Sequence, residues 1–329
     1  MTTTTPLAIG IDLGATKIAA ALVTRQGQMI ATARRPTAVT AGTAVVLDNL
    51  AALVNELLDQ ATGTVAGVGI GTPGHVDPVA GVVRNAVNLG WTKVNLVAEI
   101  QSRLETALPI FVEKDANAEV LGEIYFGAGQ GYSDVVYLGL GSGLGGGLIV
   151  NGQLVSGHNL AAAEIGHLSL DPVGRPCNCG RRGCAETIVS GNGVLAVIRD
   201  YLAEGNYATC LTDTPDLSPA TVVTAAETGD PLAQAVLTQT GQWLGQIVSM
   251  IAMILNPACI IIGGGFGRAA FKVLLPAIQT ELRQRALPVV YERLMIAPSQ
   301  LKSSAIGASC LVWQQHPPAA QPDKPFERG

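Results

Sequence analysis

The sequence predicts an α/β protein made of two domains that share one architecture, and three observations support this. The chain has 329 residues, of which 48% are hydrophobic and only 14% charged, so it can bury the cores of two ordinary domains. It contains 39 glycines, several of which follow apolar runs, as is typical of tight turns at strand ends. A strand, a glycine turn and a second strand near the N-terminus are followed by the same pattern from residue 134. We therefore expect one such unit in each domain.

The first half begins with antiparallel strands rather than with a strand–helix–strand unit. LAIGIDL (7–13) is typical of a buried strand, GATK makes a turn, and IAAALV (18–23) returns, with a third strand after the turn RQGQ. Apolar residues at helical spacing over 45–58 predict a helix that covers the sheet. The sequence then predicts a strand over 65–70, a loop over 71–78, a strand over 109–116 and a helix over 117–129.

The second half repeats the opening pattern before it becomes helical. DVVYLGL predicts a strand, GSGLGG a turn, and GLIVNGQLV a second strand with an Asn-Gly turn inside it. Helices over 231–255 and 268–286 flank a strand over 259–265. A last helix near 304–315 precedes the proline-rich tail 317–329, which we expect to be disordered.

Charge and hydropathy exclude several classes of protein. The formal net charge is −5, and no basic face of the kind that duplex nucleic acid selects is evident. The N-terminal MTTTTPLAIG lacks the basic residue and long apolar core of a signal peptide, and the most apolar stretch, IVSMIAMIL, is too short to span a bilayer. We expect a soluble cytoplasmic protein without nucleic-acid or membrane partners.

Three glycine turns at strand ends predict a site for nucleotide phosphate. In DLGATK, Asp12 can hold a hydrated Mg²⁺ while Thr16, Lys17 and exposed backbone N–H groups meet phosphate oxygens. Alone, this turn could equally be a plain hairpin, and it is not a P-loop. GLGSGLGGG (139–147) and IIIGGGFG (260–267) add two more turns, and three such clusters are hard to explain by packing alone.

One carboxylate is a candidate general base. Asp115 lies at a strand end just before a predicted helix, where it could accept a proton from a hydroxyl that attacks a γ-phosphate. From the residues alone, the simpler interpretation is that Asp115 caps the helix.

A cysteine-rich loop predicts a structural zinc site. His167, Cys177, Cys179 and Cys184 supply one imidazole and three thiolates, which fill a tetrahedral shell. A Cys-x-x-Cys redox motif is absent, and the acidic chain argues against a nucleic-acid finger; free buried cysteines are the remaining alternative. A metal here would also orient Glu164 and Glu186, whose carboxylates suit sugar hydroxyls.

The whole set of motifs resembles the ROK (repressor, open reading frame, kinase) family, and within it the ATP-dependent bacterial glucokinases. The matching segments run in family order from about residue 8 to 310: DLGATK, GTPGHVD, DANAEVLGE, GLGSGLGGGLIVNG, EIGH, CNCGRRGCAE and IIIGGG. The resemblance implies an α/β, actin-like sugar-kinase fold with two domains around a central cleft and a small zinc-binding loop. It implies a small domain over 1–116, joined by the returning helix 303–316, and a large domain over 117–302 that carries the zinc loop 164–186.

The resemblance also implies roles for individual residues. Asp115 would be the base, and zinc would be bound by His167, Cys177, Cys179 and Cys184. Sugar hydroxyls would contact Gly74, Asn88, Glu164, His167 and Glu186. ATP with Mg²⁺ would contact Asp12, Gly14, Thr16, Lys17, Gly141, Ser142, Gly143, Gly263, Gly264 and Gly265.

Two departures from the family pattern bear on function. Lys114 stands where the family usually has an Asn that contacts the sugar, which bears on the choice of sugar more than on the chemistry. Ser142 replaces a common Thr and keeps a hydroxyl. Because the chain begins at the first kinase strand, we expect it to lack the helix-turn-helix of the family's repressors. We expect phosphorylation of a hexose, glucose at its 6-hydroxyl above all, by a homo-oligomer (dimer or tetramer). The alternatives are a kinase for fructose, mannose or an N-acetylhexosamine, and a sugar sensor without activity.

Overall fold

The computed structural model describes residues 6–205, 207–212 and 214–314, and they form two five-stranded sheets, a three-stranded sheet and the helices around them. The predicted disorder of 317–329 lies outside the described residues. The strands are β1 (Leu7–Leu13), β2 (Lys17–Thr24), β3 (Met29–Pro36), β4 (Val65–Thr72), β5 (His75–Asp77), β6 (Val82–Ala86), β7 (Trp91–Val94), β8 (Ile110–Lys114), β9 (Val135–Leu140), β10 (Leu144–Val150), β11 (Gln153–Leu154), β12 (Cys259–Gly263) and β13 (Met295–Pro298).

The helices confirm the predicted ones within a few residues and add others. They are α1 (Thr43–Asp59), α2 (Leu96–Gln101), α3 (Asp115–Phe126), α4 (Glu186–Val189), α5 (Gly191–Glu204), α6 (Pro219–Glu227), α7 (Pro231–Leu255), α8 (Gly265–Arg285), α9 (Pro288–Tyr291) and α10 (Ser304–Trp313). None of the helices in the described part of the chain is both long and apolar enough to cross a membrane.

The two large sheets have the same topology, which confirms the repeated architecture. The first sheet has the order β3-β2-β1-β4-β8 and the second β11-β10-β9-β12-β13. In each, a hairpin of antiparallel strands is extended by two parallel strands on the other side. Each parallel extension follows a helical crossover, as parallel pairing requires. Corresponding strand ends therefore lie at corresponding edges of the two sheets.

Apolar burial holds each sheet in a separate core. β1 and β9 are almost entirely buried, and α1 covers the first sheet with Leu50, Leu53 and Val54, which have no exposed surface. The long helices α7 and α8 pack on each other and cover the second sheet. Fully burying a Leu or Val side chain is worth about 1.5–3 kcal/mol, so these faces fix the register of both sheets.

The last helix returns to the first sheet, as expected. α10 is buried along almost its whole length and packs against β1 and β4. Gly69 on β4 allows this approach, because a Cβ at that position would lie 1.9 Å from the Ala308 carbonyl oxygen. The segment 303–314 thus belongs structurally to the first sheet, while the domain boundaries themselves stay a prediction.

Three local predictions differ from the structure. The predicted loop 71–78 contains β5, which pairs with β6 and β7 in a small antiparallel sheet. Its strands have three to five residues of mixed polarity, too short for a clear period-two pattern. The predicted strand over 109–116 ends at Lys114, and α3 begins at Asp115 rather than at 117.

Candidate active site

One cavity of about 650 Å³ lies where the strand ends of the two large sheets meet. Asp12 enters it from β1, Asp115 from the start of α3, and Ser142 from the turn between β9 and β10. The predicted site residues that line it are Asp12, Gly74, Asn88, Asp115, Gly141, Ser142, Gly143, Glu164, His167, Cys179, Glu186 and Gly264. The fold therefore brings together candidates that are far apart in the sequence.

Asp115 lies at the junction of the two sheets and is not the N-cap residue of α3. Lys114 is the N-cap of α3 and makes no side-chain cap bond, so Asp115 is the first helical residue. Its Oδ1 accepts the Ala116 N–H at 2.7 Å. Burial raises the pKa of Asp115, while that N–H and the Lys114 ammonium lower it and Glu164 raises it. A base whose pKa is raised towards neutrality holds a transferred proton more readily.

Two further carboxyls face the same region. Burial and the neighbouring Asp115 raise the pKa of Asp12 to about 6, although the Lys17 ammonium lowers it. Glu119, one helical turn after Asp115, accepts a hydrogen bond from the Ser304 hydroxyl at 2.5 Å. Burial, followed by Asp12 and Asp115, raises the pKa of Glu119 to about 8. A cation bound beside these carboxyls would favour their ionised forms.

The first glycine turn is braced by hydrogen bonds from a buried threonine. The Gly14 N–H donates to the Lys17 carbonyl at 3.0 Å, and the Thr37 hydroxyl donates to the Gly14 carbonyl at 2.6 Å. Gly14, Thr16 and Lys17 do not line the cavity wall, but the Lys17 charge acts on Asp12. The turn therefore lies beside the cavity rather than inside it.

The second and third turns come from the second sheet. Gly143 meets Glu186 so closely that a Cβ there would lie 2.3 Å from Glu186 Oε2. That oxygen accepts the Leu144 N–H at 2.9 Å, which ties Glu186 to the turn. In the third cluster, the Gly264 N–H donates to the Tyr137 hydroxyl at 3.1 Å. Gly264 lines the cavity, whereas Gly263 ends β12 and Gly265 begins α8 without lining it.

All five predicted sugar contacts line the cavity. Glu164 lies between two cationic or basic groups: its Oε1 is 3.1 Å from Lys114 Nζ, and its Oε2 is 3.9 Å from His167 Nε2. Gly74 and Asn88 line the cavity from the first half of the chain, and Glu186 lines it from the second. Carboxylates, an imidazole edge and an amide in one wall can bind several hydroxyl groups.

The predicted metal ligands form a compact cluster. Ligand atoms of His167, Cys177, Cys179 and Cys184 all lie within 4.8 Å of one another. Cys179 Sγ is 3.6 Å from Cys184 Sγ, and Cys177 Sγ is 3.8 Å from His167 Nδ1. In a tetrahedral zinc site, ligand atoms are about 3.6–3.8 Å apart, since Zn–S bonds measure ~2.3 Å. The donor set and its spacing fit zinc, with His167 Nδ1 towards the metal and Nε2 towards Glu164.

Several residues that line the cavity have little recognisable signal in the sequence. His75, Asn85, Lys114, Glu119 and Asn178 line the wall but were not predicted as site residues. Glu119 follows Asp115 by four residues, so the helical period would place both on one face. His75 and Asn85 belong to the unpredicted small sheet, and no sequence signal marked them.

Known proteins resemble this chain along most of its length. The sequence profile of the ROK family matches residues 8–315. The chain belongs to the ROK family. It is 34% identical over 316 residues to a glucokinase of Halalkalibacterium halodurans, covering 93% of this chain and 95% of the relative. A Streptomyces griseus ROK family glucokinase, solved in complex with glucose and AMPPNP, superposes with a TM-score of 0.82 at 32% identity, covering 94% and 99% of the two chains.

A ROK protein that is not named as an enzyme is also similar. A ROK family transcriptional regulator, described as a homologue of the E. coli MLC protein, has a TM-score of 0.85 at 27% identity. The likeness covers 95% of this chain and 78% of that one. These ROK structures confirm the expected α/β, actin-like fold.

Proposed function

We propose that this chain is a sugar kinase that transfers the γ-phosphoryl group of ATP to a hydroxyl of a hexose, glucose to glucose 6-phosphate above all. The observation that carries the proposal is the position of Asp115. It stands at the junction of the two sheets, in a cavity that glycine turns from the second sheet and Asp12 from the first both reach. Support comes from the glucokinases that the chain resembles along nearly its whole length.

Different residues of the cavity would take part in different parts of the reaction. The sugar hydroxyl oxygen attacks the γ-phosphorus, the bond from that phosphorus to the bridging oxygen breaks, and ADP leaves with the electron pair. Asp115 takes the hydroxyl proton. Glu164, His167 and Glu186 hold the other hydroxyls, together with Gly74 and Asn88. The turn 141–143 surrounds the phosphates, with Gly14, Thr16 and Lys17 beside them and 263–265 near the adenosine.

Mg²⁺ arrives with ATP, and the first sheet offers an oxygen ligand that fits it. The Asp12 carboxylate faces the cavity, and no hydrogen-bond donor among the described residues engages it, which suits a hard divalent cation. When bound, the cation offsets the charge of the phosphates. Asp12 would hold it, while Lys17 balances the carboxylate from the turn.

Zinc is proposed as a structural metal. Three thiolates and one imidazole leave no position for a reactive water. Its task would be to hold the loop 164–186, which carries Glu164 at one end and Glu186 at the other. The reaction needs no metal-generated nucleophile, because the sugar hydroxyl attacks.

We also propose that the two predicted domains move relative to each other and that the chain assembles with copies of itself. We expect the predicted small domain, 1–116 with 303–316, to close on the large domain, 117–302, when sugar binds, because closure keeps water from the γ-phosphate. We also expect a homo-oligomer working in the cytoplasm. Apolar side chains on one part of α7 support assembly: Met250, Met253 and Ile254 are exposed, and the neighbouring Leu287 N–H donates to the Met253 sulfur.

The test is a coupled assay of the purified protein with MgATP and a panel of sugars. We expect the largest kcat/KM for glucose, with fructose, mannose and N-acetylhexosamines as the alternative acceptors. The similarity to a ROK transcriptional regulator keeps a second candidate, a sugar sensor without activity. Sugar binding without turnover for every member of the panel would support that sensor and reject the kinase.

A further inference from the structure

Lys114 places a cation in the wall of the cavity, directly beside the proposed base. It is the last residue of β8, so the chain continues from it into Asp115 and α3. Its side chain is only 12% exposed. A long ammonium side chain is seldom covered to this extent unless it has partners.

The partners of Lys114 come from the second half of the chain. Lys114 Nζ donates to the Ala162 carbonyl at 3.1 Å and to Glu164 Oε1 at 3.1 Å. The same loop is held at a second point, where His75 Nε2 lies 2.7 Å from the Asn159 carbonyl oxygen. Lys114 thus connects the first sheet to the loop that carries a proposed sugar ligand.

The Lys114 ammonium has one more hydrogen-bond donor than these two contacts use. An ammonium has three N–H donors, and the two contacts above use two of them. Among the described residues, no acceptor is recorded for the third. Glu164 keeps Oε2 at 3.9 Å from His167 Nε2, on the side towards the metal cluster. Lys114 and Glu164 together therefore present one donor and one acceptor to the cavity.

We propose that Lys114 is a positioning and specificity residue, which holds Glu164 in place and donates its third N–H to a hydroxyl oxygen of the bound hexose. This inference rests on the proposed function. A sugar hydroxyl has one proton and two lone pairs, so it can donate to a carboxylate while it accepts from the ammonium. Because Lys114 is paired with Glu164 and lies next to Asp115, the wall carries no net positive charge. It favours a neutral hexose over a sugar acid.

The variants separate charge, packing and surface effects. Lys114→Met keeps the length of the side chain and removes its donors, and Lys114→Arg keeps the positive charge. The matched control is Lys272→Met, an exposed lysine on α8. Glucose and its 2-, 3- and 4-deoxy derivatives are titrated against each protein, and kcat and KM are measured for the ones that turn over.

We expect Lys114→Met to bind glucose about 10- to 100-fold more weakly than the wild type, the range of one charge-assisted hydrogen bond. One monodeoxy sugar should bind the wild type more weakly by a similar factor, yet bind Lys114→Met no worse than glucose does. Lys114→Arg should keep most of the affinity, which also shows that the site folds without the native side chain. Lys272→Met should match the wild type.

The pH profile supplies a second readout. Charged and titratable groups face Asp115 from four directions: Lys114 from β8, Asp12 from β1, Glu119 from α3 and Glu164 from the loop before His167. Lys114 lowers the pKa of Asp115, so its removal should move the acid limb of kcat to higher pH. Lys114→Arg keeps the positive charge beside Asp115 and should leave that limb in place.

The outcomes distinguish this inference from the proposed function. If the wild type binds glucose and Lys114→Met binds it with a Kd within twofold of the wild-type value, the inference is overturned and the proposed function stands. A set of deoxy sugars that lose the same factor in both proteins has the same consequence. A wild type that neither binds nor phosphorylates any neutral hexose overturns the proposed function, and the inference with it.

Discussion

Replacing Glu119 by Gln should make the protein more stable in alkaline solution and leave it unchanged in acid. Glu119 faces the cavity one helical turn after Asp115, and among the described residues its side chain accepts one hydrogen bond, from the Ser304 hydroxyl. Burial and the nearby Asp12 and Asp115 raise the pKa of Glu119 from 4.5 to about 8. The carboxyl is therefore largely protonated in the folded state at pH 7 and ionised in the unfolded state.

The sign and size of the effect follow from this difference. Because the folded pKa is the higher one, the free energy of unfolding falls as the pH rises from 4.5 towards 8 and is then constant. The two pKa values set an upper limit of about 5 kcal/mol on that fall. Since the Glu119 side chain is only partly buried and lines the cavity, we expect about 2 kcal/mol. Gln cannot ionise and still accepts from Ser304, so the variant should lose this part of the pH dependence.

The assay is urea unfolding, followed by circular dichroism, at about pH 5 and about pH 8.5 for the wild type, Glu119→Gln and the control Glu105→Gln. Glu105 is an exposed carboxylate. We expect Glu119→Gln to equal the wild type at the lower pH and to exceed it by about 2 kcal/mol at the higher. Equal differences at the two pH values, or a variant less stable at both, would refute the reasoning.

Three further predictions concern closure, metal and assembly. Small-angle scattering should show a smaller radius of gyration at saturating glucose, and an unchanged radius would count against domain closure. Cys179→Ser should contain no zinc by metal analysis, and its KM for sugar should rise by orders of magnitude while the fold survives, because Glu164 and Glu186 lose their common support. A zinc-free variant that binds sugar as tightly as the wild type would show that the metal does not position these carboxylates. Ile254→Lys on the exposed apolar part of α7 should shift the mass in light scattering to that of a monomer, and an unchanged oligomer would place the interface elsewhere.

Much of the fold could be predicted because its signals are local. The runs 7–13 and 134–140, each followed by glycine turns and a second strand, predicted two related sheets, and both are present with one topology. The helix over 45–58 had apolar residues on one face, and α1 buries that face. The small sheet β5-β6-β7 was missed, because strands this short are stabilised by tertiary contacts rather than by their own pattern.

The candidate site was predicted through sequence motifs. The residues that were not predicted are those whose role depends on contacts between distant parts of the chain. The cysteine spacing of 177–184 predicted a cluster that the structure assembles with His167. Lys114 was noticed only as a departure from a family pattern, and its contact with Glu164, fifty residues away, exists only in the folded chain. Likewise, the pKa of Glu119 is raised by burial and then by Asp12 on β1, and both effects exist only in the folded chain.

The central claim is that Asp115 accepts the proton when a hexose hydroxyl attacks ATP, and Asp115→Asn tests it most directly. Initial rates with MgATP and glucose should fall by about 10²–10⁴ or more, since a positioned base is lost. Calorimetric titrations of the same variant should give Kd values for glucose and ATP within a few-fold of the wild type. Turnover within a few-fold of the wild type would contradict the claim and return Asp115 to the role of a residue that only begins α3.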